Sequence, residues 1–179
     1  MKGRRLNDIS TMSLLLAAGI IIQGIEALYL PPLMIPGAKL GLANSITLVM
    51  IVLFGWRDVL AHVALRTTAV SLVTGTFLST TYLYSLTGGL LSAVVMVAVY
   101  ELLFGRLSFV GVSVCGALAH NLTQLALSIL ILGHIGIVSL LPWLLLIGLL
   151  TGIANGTLVN TAGARLQGFE ANRLRGEHA

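Results

Sequence analysis

Apolar runs long enough to cross a hydrocarbon core of about 30 Å recur along this chain, from TMSLLLAAGIIIQGIEAL (11–28) to about residue 162. A segment in lipid must satisfy its own backbone N–H and C=O groups, and runs of this length do so as helices. Composition agrees: 57% of residues are hydrophobic and 9% charged, with a mean hydropathy of +1.01, whereas about a quarter of a soluble domain is charged. The predicted fold class is all-α, a polytopic membrane protein. The 179 residues suffice for one compact domain, read as a basic N-terminus (1–10), a six-helix transmembrane domain (11–165) and a polar tail (166–179). The first run follows Lys2, Arg4 and Arg5 but lacks a small-residue cleavage site, so it reads as a retained helix, not a signal peptide. The single cysteine, Cys115, excludes an intrachain disulfide. A pI near 9.7 needs no nucleic-acid partner, because the basic residues have another use.

That use is orientation. With spans at 11–29, 39–55, 57–75, 87–104, 108–132 and 137–162, Lys2, Arg4, Arg5, Arg57, Arg106, Arg165, Arg173 and Arg175 fall on the side of the N-terminus, and Lys39 alone on the other. The positive-inside rule then makes both termini cytoplasmic. Segments 30–44, 75–89 and 132–136 then fall on the outer face. In the first of them Pro31, Pro32 and Pro36 stiffen the chain and Gly37 lets it turn before Lys39 opens the second helix.

Polar residues inside the spans carry whatever chemistry there is. Asp58, His62 and Arg66 follow at i, i+4 and i+8 on one helix face, and Arg66 lies roughly 12 Å along the axis from Asp58, where a charge needs a partner, water or a ligand. It either pairs with Glu26 near the outer end of the first helix, snorkels outward, or binds an anion. His120, Gln124 and Ser128, with Asn121 beside them, form a second stripe that either bonds helices together or lines a pocket; Asn44 is a further candidate lining residue. Gly148, Gly152 and Gly156 give the sixth helix a small-residue groove for close packing, and Ser13 and Ala17 give the first helix a shorter one that could face a partner. The four histidines lie in different segments, which argues against a metal site.

Several activities lack their machinery in this chain. There is no GxxxxGK[ST] phosphate loop, no CxxCH haem attachment, and only two aspartates, Asp8 and Asp58, so the aspartate-rich magnesium clusters of prenyl synthases are missing. No catalytic residue is assigned and no covalently bound cofactor is expected.

PGAKLGLAN (36–44), GTFLSTTYLYSLTGG (75–89) and AHNLTQL (119–125), in that order, resemble the family labelled heptaprenyl diphosphate synthase component I, also called the Gx transporter family. The resemblance covers about residues 11 to 165. It implies a bundle like the substrate-binding S components of energy-coupling factor (ECF) transporters, in a bacterial cytoplasmic membrane. Such proteins take a small molecule from outside and work with a T component and ATPases. By that likeness the proline-rich connection is an outer lid, Lys39 supplies charge at its rim, and Lys39, Asn44, Arg66, His120, Asn121 and Gln124 line the solute site. Ser13 and Ala17 approximate the alanine pair through which S components dock a T component. The resemblance also admits flavin or quinone as ligand, with a role beside flavoprotein electron-transfer subunits, or a noncatalytic anchor for polyprenyl diphosphate synthesis.

Overall fold

A computed structural model describes residues 6–29, 41–103 and 106–175, with side chains described as far as Thr161. The described residues form six α-helices: α1 (Leu6–Tyr29), α2 (Asn44–Leu53), α3 (Trp56–Val73), α4 (Thr80–Leu102), α5 (Phe109–Leu132) and α6 (Leu141–Arg175). A 3₁₀ segment, Ile135–Leu140, leads into α6. Four elements are long and apolar enough to cross a membrane: α1, α4, α5 and the continuous stretch Ile135–Thr161. α3 has 18 residues but carries Arg57, Asp58 and Arg66. The outer lid residues Pro31, Pro32, Pro36 and Gly37, and the rim residue Lys39, lie outside the described residues.

Two expected boundaries move, each for a physical reason. The span expected at 39–55 contains a helix of ten residues, about 15 Å long and half of what a hydrocarbon core requires. α2 is a half-helix. Its far end meets α3 through Phe54 and Gly55, so Asn44 stands roughly level with Arg66, ten residues into α3, near the middle of the bundle. α4, expected from residue 87, begins at Thr80 instead. Ser79 caps it by accepting the Tyr82 N–H at 3.4 Å. The Gly88–Gly89 pair, expected at the end of the outer segment 75–89, is buried within α4. Each is small because a neighbour comes close: a Cβ on Gly88 would lie 3.0 Å from the His120 ring, and one on Gly89 3.1 Å from Val63.

α2 is the peg of the bundle and touches all five other helices. Leu48, Met50 and Ile51 join Val59 and Val63 of α3, Ala93 and Met96 of α4, Val112 of α5 and Val159 of α6 in the main apolar core. α1 stands at the edge and packs on α2 and α3. It buries only Gly19, Gln23 and Glu26, one face at i, i+4 and i+7. Its exposed Leu14, Ile21, Ile25 and Leu28 suit lipid contact.

α6 lies along α5 with its three glycines inward. A Cβ on Gly148 would meet Asn121 Nδ2 at 2.9 Å, one on Gly152 would meet the Val114 Cα at 2.6 Å, and one on Gly156 would overlap Val110 Cα. The helix backbones therefore approach closely along three turns.

Candidate functional site

The polar residues of five helices converge on the turn that starts α2. Gly41 has φ +74°, the left-handed region that a side chain disfavours. Its N–H donates to Glu26 Oε1 at 2.6 Å, and the next N–H, of Leu42, donates to Glu26 Oε2 at 3.2 Å. The Gly41 carbonyl accepts from Asn155 Nδ2 of α6 at 3.2 Å and from the Asn44 N–H at 3.0 Å. The Ala43 carbonyl accepts from Arg66 Nη1 of α3 at 2.6 Å, and the same nitrogen lies 3.3 Å from Thr47 Oγ1. The sequence leads to this arrangement because a helix starting inside a bundle leaves N–H groups that water cannot reach. The first N–H groups of α2 turn back on the preceding carbonyls, Asn44 on Gly41 and Ser45 on Leu42, and the N–H groups of Gly41 and Leu42 themselves go to the Glu26 carboxylate at the positive end of the helix dipole.

Glu26 and Arg66 are 3% and 2% exposed. Both bind the same stretch of backbone, Glu26 at its N–H side and Arg66 at its carbonyl side, and the opposite charges attract one another. The pair therefore acts as a clamp on residues 41–47. Gln23, one turn before Glu26, reaches Thr67 of α3 at 3.5 Å. Gly19 makes room for the clamp, since a Cβ there would stand 2.7 Å from the Arg66 side chain.

On the other side of the turn, Asn44 Nδ2 donates to Ser92 Oγ at 3.3 Å, and Ser92 donates to the Gly116 carbonyl at 2.8 Å. The Gln124 amide nitrogen lies 3.0 Å from His120 Nε2, and a Cβ on Gly41 would come within 3.8 Å of the same ring. Three of the six residues expected to line a site, Asn44, Arg66 and His120, thus border one turn, and Gln124 joins them through His120. Asn121 does not join them; its amide donates to the Leu144 carbonyl of α6 at 2.7 Å and holds two helices together. Ser13 and Ala17 are exposed on α1, and Ser13 lines a separate crevice against α3.

Several polar atoms here are buried without a hydrogen-bond partner: Gln23 Oε1, Arg66 Nε, Gln124 Oε1, and Ser113 Oγ nearer the other end of α5. Glu26 was legible only as an ion-pair partner, and Gln23, Ser92 and Asn155 were not singled out as bordering residues. The available signal was Gly19, Gln23 and Glu26 at helical spacing within an apolar run. Among the described residues, no three His, Cys, Asp or Glu side chains group as a metal site would need.

The family model described as heptaprenyl diphosphate synthase component I matches residues 15–162. No curated protein and no solved structure matches the chain.

Proposed function

The chain belongs to the heptaprenyl diphosphate synthase component I family, and on that premise we propose that it is a noncatalytic membrane subunit that binds a small organic solute beside the turn of residues 41–44. The observation that carries this reading is the set of polar atoms left without partners around a half-helix at mid-bundle. An unsatisfied polar atom in hydrocarbon is costly. Broken helices with convergent polar groups are also how transporters build solute sites at the bilayer midplane. In the S-component-like version, the lid of Pro31, Pro32, Pro36 and Gly37 covers the solute from outside, Lys39 adds charge, and a T component with ATPases supplies energy. Flavin or a quinone-like ring suits a site edged by amide, imidazole and guanidinium groups.

The family's description as a component I favours a second reading, in which the chain anchors a catalytic partner for prenyl diphosphate synthesis. Mass spectrometry of the molecules and proteins that copurify in mild detergent separates these. A small organic ligand with ATPase partners supports transport, a flavoprotein or quinone supports electron transfer, and an aspartate-rich synthase supports the anchor.

Gln124 is the cleaner probe of binding, because its side chain holds no backbone turn in place. Gln124→Leu is expected to weaken binding of the copurified ligand about tenfold or more, with melting temperature near wild type. Unchanged affinity would remove Gln124 from the site. Reporters fused at either terminus are expected to behave as cytoplasmic, and a cysteine at Thr81, in the first turn of α4, to react with a membrane-impermeant thiol reagent from outside. The opposite pattern would turn the proposed site to face the cytoplasm.

A further inference from the structure

Between α1 and α3, on the Phe54–Gly55 side of the clamp, lies a crevice of about 230 Å³ lined by Ile9, Met12, Ser13 and Leu16 on one wall and Asp58, Ala61, His62 and Leu65 on the other. Its volume equals roughly seven or eight waters at about 30 Å³ each. Ile9 and Leu65 are 48% and 59% exposed, so the crevice opens to the outside of the bundle. At its inner wall His62 is 4% exposed; one side of its ring faces the Leu15 backbone, and no side chain bonds to either ring nitrogen. The Gly19 side of α1 closes the space behind the ring: a Cβ there would lie 3.4 Å from His62 Cε1.

Depth says what can reach it. Trp56 and Arg57 are exposed and stacked, with the guanidinium 5.1 Å from the indole centroid, a combination that suits the membrane–water boundary. His62 stands five residues further along α3, roughly 7 Å deeper. A molecule entering from the side therefore comes from the adjoining leaflet.

We propose that this crevice is a binding site for a single-chain neutral amphiphile with a hydroxyl head, the head against His62 and the chain running out between Ile9 and Leu65. A hydroxyl both donates and accepts, so it satisfies an imidazole nitrogen in either tautomer, and it can donate to the Asp58 carboxylate in the same wall. Met12, Leu16 and Leu65 supply the apolar contact for the first methylenes. The site is independent of the solute site proposed beside the turn of residues 41–44 and stands or falls apart from it.

The test uses the full chain in lipid nanodiscs with a trace of an alkyne-tagged, diazirine-bearing hexadecanol, irradiated and mapped by peptide mass spectrometry. Label is expected on 9–16 and 58–65 at about five- to tenfold over the lipid-exposed face of α6 around Leu150 and Leu158, the ratio one buried hydrogen bond supports. Ala61→Leu, which fills the crevice from an exposed position, and His62→Leu, which removes the polar partner, should each reduce that excess to the α6 level. Even labelling of all lipid-facing helices, or an excess that survives either substitution, would overturn the proposal. If His62→Leu does not fold, Ala61→Leu alone decides.

Discussion

Replacing Glu26 with glutamine is expected to cost about 3–5 kcal/mol of stability, a large share of the roughly 5–15 kcal/mol that holds a typical domain together. The carboxylate accepts from two consecutive N–H groups. Glutamine keeps one acceptor oxygen and turns an amide NH₂ toward the other N–H, so one donor is left facing a donor in a buried site. The Arg66 charge also loses its opposite. Arg66→Met should also be harmful, since it removes the positive charge that Glu26 attracts and takes the guanidinium from the Ala43 carbonyl. The double variant should recover part of the loss, because the two opposite charges are then removed together. Melting temperature and monodispersity in detergent, measured on both single variants and the double, give the coupling directly. Strict additivity would show that the two charges do not act as one clamp. This result also limits what Arg66 can report about ligands: any loss of binding in Arg66→Met must be read against its loss of fold.

Gly156→Leu is expected to abolish folded protein. The first carbon added at this position overlaps the Val110 Cα and lies 3.0 Å from the Phe109 carbonyl oxygen. Both are backbone atoms of α5, which cannot rotate away as a side chain can. Gly156→Ala should cost about 1–3 kcal/mol as α5 and α6 separate slightly. Gly152→Ala should behave alike, with the Val114 Cα at 2.6 Å. Gly24→Ala is the control. Nothing lies within 4 Å of a Cβ there, so the change should be neutral or stabilise α1 by up to about 1 kcal/mol. Equal effects at Gly24 and Gly156 would mean that helix propensity, not the contact with α5, explains these glycines.

The sequence by itself determined what depends on local chemistry. Long apolar runs require helices in lipid, so α1 is helical throughout its described part of the expected span and α5 ends at the expected Leu132, before Gly133 at φ +64°. The polar stripes through Arg66 and His120 were also legible, because a charge or imidazole amid leucines and valines stands out without a partner in view. The tertiary structure decided which gaps in the apolar pattern are interruptions and which are contacts. Gly88–Gly89 falls in sequence at the end of the expected outer connection 75–89, but in the bundle it is the space that His120 and Val63 occupy. α2 looks like a full span, yet it stops at Asn44, where Glu26, Arg66 and Asn155 take up the polar groups of the turn before it. Glycine has the same appearance in sequence whether it ends a helix or admits a neighbour, and an apolar run does not record where along it the helix begins. Only residues distant in the chain, brought within 3 Å, settle both.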